Sequence, residues 1–85
     1  MLENQNILLT GGTGSFGKKF VPMTLAKYKP KSIVIYSRDE MKQWDMAQDF
    51  ADDPRVKFII GDARDKERTM RALDGIDHVV HAAAT

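Results

Sequence analysis

Residues Thr10 to Lys19 read TGGTGSFGKK and carry four of the chain's six glycines. Glycine at this density lets backbone N–H groups approach a ligand closely, and the ligand such groups suit is a phosphate. Two phosphate-binding patterns overlap here. As Gly12-x-Gly14-x-x-Gly17 the stretch is the dinucleotide fingerprint. As Gly12-x-x-x-x-Gly17-Lys18 it is an ATPase-type loop one residue short, because that chemistry needs a Ser or Thr hydroxyl on Mg²⁺ where Lys19 stands. The dinucleotide reading is preferred, since the stretch joins an apolar run, a strand, to a helical pattern. In that reading Gly12 and Gly14 allow a tight turn and close approach to a pyrophosphate, and Gly17 allows the helix to pack against the strand. A glycine-rich turn without a ligand is the plainer alternative.

A second cluster, YSRDE, lies about 20 residues on, where NAD enzymes carry an acidic residue for the ribose 2′-hydroxyl. Ser37 occupies that place and Arg38 follows. Serine removes the repulsion a 2′-phosphate would meet, and a guanidinium grips phosphate with two hydrogen bonds. Lys42, one helical turn further, adds charge. Asp39 suits NAD if it faces the ribose, but its better role is a helix cap. NADP is therefore favoured over NAD, with a merely solvated Arg38 as the alternative. Asp62 in GDARD stands where a carboxylate can accept from an adenine amino group, or where a loop aspartate is simply solvated. His78 and His81 fall on opposite faces of a strand, which argues against a shared metal; His81 is expected to pack at the strand end. Trp44 is expected in the core, or else in the wall of the cofactor pocket.

These groups need a scaffold, and the hydrophobic pattern supplies one. Strands are expected at Asn6–Thr10, Ser32–Tyr36, Val56–Ile60 and Ile76–His81. Between them lie a helix with Phe16, Phe20 and Met23 as its apolar stripe, a helix capped by Asp39 running to about Phe50 with Met41, Trp44 and Ala47 on one face, and a helix capped by Asp65 running to about Leu73. Gly75 suits a left-handed helix stop. Pro22 falls inside the first helix, which must bend or be shorter than drawn. The order βαβαβαβ implies an α/β fold: a Rossmann-type, doubly wound parallel sheet of strand order 3-2-1-4.

With 85 residues, 42% apolar and 29% charged, the chain is one domain or part of one. A net charge of +1 offers no bulk attraction to nucleic acid or membrane, and the absence of cysteine excludes disulfides and thiolate metal sites. No apolar run approaches the ~18 residues of a membrane span. The polar start MLENQN does not resemble a signal peptide, so a cytoplasmic location is expected. No helix follows the fourth strand to cover its second face. The expectation is that residues 1–85 are the N-terminal part of an NADP-binding domain, with the rest of that domain and a substrate domain absent; a small natural module is the alternative.

Thr10-Gly11-x-x-Gly14-x-x-Gly17, Asp62 and His81-Ala82-Ala83-Ala84 together resemble the extended short-chain dehydrogenase/reductases of the nucleotide-sugar branch. ILLTGGTGSFGKKF, IVIYSRDEMKQ, FIIGDARDKERTMRAL and GIDHVVHAAA are closer still to the N-terminal part of the inverting UDP-N-acetylglucosamine 4,6-dehydratases. Those are soluble lyases of pseudaminic acid synthesis, flagellin glycosylation and polysaccharide biosynthesis. The resemblance implies that Thr13, Gly14, Ser15 and Phe16 cradle the pyrophosphate, with Gly11 and Gly17 also among the cofactor-binding residues. It implies that Ser37, Arg38, Asp39, Glu40, Met41 and Lys42 surround the 2′-phosphate of NADP. Asp62 and Ala63 would flank the adenine, and Ala82 the nicotinamide half. The activity implied is oxidation at C4 of a UDP-sugar, loss of water across C5–C6 and hydride return to C6 with inversion at C5, in an enzyme expected to be a homo-oligomer. The family's catalytic Tyr-x-x-x-Lys is not matched in this chain: Ser32 follows Tyr28 and Glu40 follows Tyr36 at the lysine spacing. A sugar-nucleotide epimerase, a retaining dehydratase or a non-catalytic dinucleotide module would share the motifs.

Overall fold

The computed structural model describes residues 3–11, 14–62 and 64–81. Four strands, β1 (Asn6–Thr10), β2 (Ser32–Ser37), β3 (Val56–Ile60) and β4 (His78–His81), alternate with three helices, α1 (Ser15–Lys27), α2 (Glu40–Asp49) and α3 (Lys66–Ala72). The strands form one parallel sheet in the order β3-β2-β1-β4. The α/β doubly wound architecture and its strand order are as the sequence pattern predicts.

Burial explains why the strands were legible. β1 and β2 are central and covered on both faces, so they read as unbroken apolar runs. Ile7, Leu9, Ile33 and Ile35 form one core with Val21 and Leu25 of α1 and Met46 of α2. Leu8, Val34 and Tyr36 form a second core on the opposite face with Ala72 of α3. Val79, paired with Leu8 on the α3 side, is 53% exposed.

The helices differ from expectation in which face they bury. In α1 the sheet-facing line is Gly17, Val21, Thr24 and Leu25, whereas Phe16 and Met23 are about half exposed. Gly17 is buried on the same line as Val21, and of the expected stripe Phe20 packs, partly buried, against that core. Phe16 instead stacks on Phe20, centroids 5.4 Å apart. In α2 the buried line is Gln43 and Met46, with Phe50 packed against the same core. Trp44, expected in the core, is 68% exposed, and Met41 is exposed too; each lies off the 43–46–50 line. Pro22 lies within α1, which continues to Lys27. Lys18 and Pro22 are both exposed, so the carbonyl that loses its donor lies on the solvated side.

β4 begins at His78, two residues later than expected, because Asp77 organises the entry. Its N–H donates to Asn6 O and its carboxylate accepts from Asn6 N–H, both at 2.8 Å. Gly75 adopts φ +76°, the left-handed stop expected after α3. Among the described residues, no helix is long and apolar enough to cross a membrane.

One close approach was not legible. The Tyr36 ring lies over Gly61, so that a Cβ at Gly61 would stand 2.6 Å from the phenol oxygen and 2.7 Å from Cζ. Tyr36 is buried and its hydroxyl is tied to Thr69 and the Asp62 carbonyl, so the ring has no room to retreat. Gly61→Ala is expected to cost ~1–3 kcal/mol, as overpacking of a filled core does. An unchanged denaturation midpoint would show that the ring can move.

Candidate cofactor site

Parallel pairing brings the carboxyl ends of all four strands to one edge of the sheet. The ladder runs one residue beyond the strands there: Gly11 N–H donates to Tyr36 O and Gly61 N–H to Ser37 O, each at 2.9 Å. The loops after β1 and β3 therefore both start from fixed bonds to the end of β2.

Gly11 has φ +67°, in the left-handed region that favours glycine. Gly11 thus takes a left-handed turn position that the sequence reading did not single out; Gly12, to which it pointed with Gly14, lies outside the described residues. Gly14 is the N-cap of α1 in extended conformation, φ −84° and ψ −170°. Nothing in that geometry requires glycine, and a Cβ at Gly14 would meet no atom within 4 Å. The open space lies at a helix start that has neither a side-chain cap nor an acidic residue in its first turn. α2 and α3 differ: Asp39 accepts from Lys42 N–H at 3.0 Å and Asp65 from Arg68 N–H at 3.2 Å, with Glu40 and Glu67 in the first turns. Among the described residues, α1 is the helix whose start has no side-chain cap and no carboxylate in its first turn to meet the orphan N–H groups and the helix dipole. Ser15, Phe16 and Gly17 form the first turn there, Gly17 buried and Phe16 exposed.

Ser37 ends β2 and is buried. Arg38 follows, its side chain 72% exposed, with Nη1 3.6 Å from Asp62 Oδ2. The loop after β2 and the loop after β3 thus converge. Asp39 has the capping role favoured for it, and Glu40, Met41 and Lys42 are exposed in the first turn of α2. Thr13, Ala63 and Ala82 lie outside the described residues. His81 is exposed, bonded through Nδ1 to the Thr10 hydroxyl, and so is not packed as expected; His78 pairs with Ile7 on the other face.

Three participants were missed in the sequence. Arg64 holds Asp62 as a fork: its N–H and Nε reach Oδ1 at 2.9 and 3.2 Å, and Nη2 reaches Oδ2 at 2.8 Å. The spacing Asp-x-Arg was the available signal. Tyr36 donates to the Asp62 carbonyl at 3.2 Å. Gln43, buried in α2, binds the ends of β2 and β3.

The Arg64 hydrogen bonds, from side chain and then backbone, hold the Asp62 carboxyl well below its ordinary 3.8, at about 2, with the Arg38 charge a smaller contribution. A lowered carboxylate pKa contributes stability that is complete above the unfolded value of about 4 and is lost as pH falls towards 2. Following the Asp62 carboxyl carbon by NMR should give a midpoint near 2. Arg64→Ala should move it most of the way back to the ordinary range, and Arg38→Ala should move it little. A larger effect of Arg38→Ala would mean that Arg38, not Arg64, is the principal partner.

The description "Polysaccharide biosynthesis protein" belongs to the family profile matching residues 7–85. The chain is 54% identical over 84 residues to a Campylobacter jejuni UDP-N-acetylglucosamine 4,6-dehydratase (inverting), covering 99% of this chain and 25% of that protein. It is 43% identical to a Rickettsia bellii UDP-glucose 4-epimerase, with the same coverage. Among solved structures, Pen from Bacillus thuringiensis superposes with a TM-score of 0.92 at 35% identity, over all of this chain and 26% of that one. The dTDP-glucose 4,6-dehydratase of Bacillus anthracis, in complex with NAD, gives 0.82 at 25% identity, over 95% of this chain and 27% of that one. The chain thus spans about a quarter of the length of the relatives it matches. With the parallel 3-2-1-4 sheet and the glycine loop at its carboxyl edge, these matches establish that the chain belongs to the polysaccharide biosynthesis protein family, within the short-chain dehydrogenase/reductase fold and on the side of the nucleotide-sugar dehydratases.

Proposed function

We propose that this chain forms the NADP-binding portion of an inverting UDP-N-acetylglucosamine 4,6-dehydratase. The observation that carries the reading is the pairing of two features on one edge. One is the uncapped start of α1 with open space at Gly14; the other is Arg38 at the end of β2 with no acidic residue in the Ser37 position. The first suits a pyrophosphate and the second an adenosine 2′-phosphate.

The Arg38–Asp62 contact is long and largely exposed, so releasing Arg38 to a phosphate costs little. Arg64 stays on Asp62 throughout and compensates the carboxylate charge that would otherwise repel the phosphate. Asp62 is then free to accept from the adenine amino group, with Gly11, Thr13, Ser15, Phe16 and Gly17 at the pyrophosphate and Glu40, Met41 and Lys42 beside the ribose. Ala63 and Ala82 complete the adenine and nicotinamide ends.

A bound nicotinamide cofactor supplies the hydride acceptor at C4 and the hydride donor at C6 of the sugar. This chain's residues hold and orient that cofactor, and no catalytic residue is assigned among them. The reaction class is a lyase yielding a UDP-4-keto-6-deoxy sugar, as in pseudaminic acid synthesis for flagellin glycosylation. The working form is a cytoplasmic homo-oligomer. A sugar-nucleotide 4-epimerase is the second reading, supported by the 43% identity to the Rickettsia enzyme.

Arg38→Ala should weaken NADP⁺ binding by ~1.5–3 kcal/mol, the worth of a charge-assisted contact, and leave NAD⁺ nearly unchanged. Equal losses by calorimetry would mean that Arg38 does not read the phosphate. Gly14→Ser should keep or raise thermal stability, because serine is at least as good an N-cap as glycine, yet abolish binding of both cofactors by filling the pyrophosphate space. Unimpaired binding in that variant would remove the pyrophosphate from Gly14.

A further inference from the structure

Gln43 is polar, buried to 4% exposure and absent from both phosphate-reading stretches, yet it makes three contacts at the cofactor edge. Its Nε2 lies 2.8 Å from Ile59 O, 3.1 Å from Ser37 O and 2.9 Å from Ser37 Oγ. Two of these partners are carbonyl oxygens, which only accept, so the side-chain amide must present its NH₂ to them. An amide nitrogen cannot accept in return. Ser37 Oγ therefore takes the acceptor role toward Gln43, sharing one of the two NH₂ hydrogens with the Ser37 carbonyl, and the contact leaves the hydroxyl's own hydrogen unspent. The Ser37 carbonyl also takes the Gly61 N–H at 2.9 Å, so one side chain ties together α2 and the ends of β2 and β3. Arg38 and Asp62 follow directly from those two anchored ends.

We propose that Gln43 is a positioning residue for cofactor choice: by donating to one lone pair of Ser37 Oγ, it fixes that oxygen's place and leaves its hydrogen available to donate, and so favours an adenosine 2′-phosphate over a 2′-hydroxyl. The proposal rests on the NADP reading above. A phosphate offers only strong acceptor oxygens near neutral pH, and an O–H donated to an ionised acceptor is roughly twice as strong as one donated to a neutral one. A ribose hydroxyl gains less from the same donor. Gln43 itself touches no part of the nucleotide; it acts through Ser37 and through the backbone that carries Arg38.

The test uses the full chain and titrates NADP⁺ and NAD⁺ separately into the unaltered protein, Gln43→Met, Ser37→Ala and the double variant. Methionine keeps the volume and removes the donors. Gln43→Met should weaken NADP⁺ about five- to twentyfold while NAD⁺ changes less than about twofold. In the Ser37→Ala background it should shift the NADP⁺ to NAD⁺ ratio no further. Equal loss for both cofactors, or the same shift with and without the Ser37 hydroxyl, overturns the proposal and leaves Gln43 a scaffold residue. An unaltered protein without preference for NADP⁺ overturns the cofactor reading as well, whereas a preference undiminished by Gln43→Met overturns this proposal alone. Should Gln43→Met fail to fold, the unaltered protein still decides. Donation from Ser37 to a phosphate polarises its oxygen as an acceptor, so the Gln43 side-chain NH₂ resonance should move further downfield with NADP⁺ than with NAD⁺. Equal movement overturns the proposal.

Discussion

The parallel pairing of β1 with β2, in the register Asn6↔Ser32 through Thr10↔Tyr36, is the constraint on which the site depends. It sets two strand ends side by side and sends both following loops out over the same edge. The ladder then continues past the strands through Gly11 and Gly61, so neither loop begins from a free backbone. A one-residue slip of β2 would turn Tyr36 and Ser37 each to the face it does not now occupy, whereas the β2–β3 register, Ser37↔Ile60, is what sets Arg38 beside Asp62. The register is secured by burial on both faces: Ile33 and Ile35 point to α1 and α2, and Val34 and Tyr36 to α3.

From that frame the electrostatics of the edge divide between two helix starts. α2 has the Lys42 N–H met by the Asp39 carboxylate, while α1 starts without a side-chain cap, at a glycine whose backbone conformation does not require it. Between them sits a small charged cluster in which Asp62 is gripped by Arg64 and only touched by Arg38. The unequal grip matters physically. It leaves one guanidinium held and the other available, which is the condition for reading a phosphate without exposing an uncompensated carboxylate to it.

How much of this was written visibly in the sequence follows from which interactions are local. Strands buried on both faces show as apolar runs, and caps show as Asp followed by helix formers, so the strand order, Asp39, Asp65 and Gly75 were all legible. Helix faces were not, because a stripe is sought among large apolar residues. Here the lines that meet the sheet run through Gly17 and Gln43, which score as small and polar. Gly17 has no side chain to register in an apolar stripe, and Gln43 is buried by its hydrogen bond to Ile59, far away in sequence. The Tyr36–Gly61 contact and the Asp77–Asn6 clamp are likewise non-local and leave no periodic trace. Ser37, Arg38 and Asp62 were singled out by type and spacing, while Gln43 and Arg64, which bond to Ser37 and Asp62, were not.

The most direct test of the account is an amide ¹H–¹⁵N NMR titration of the chain with NADP⁺. Dispersed resonances are expected, with shifts concentrated at Gly11–Gly17, Ser37–Lys42 and Asp62. A folded spectrum indifferent to NADP⁺, or shifts centred on the opposite edge of the sheet, would contradict it.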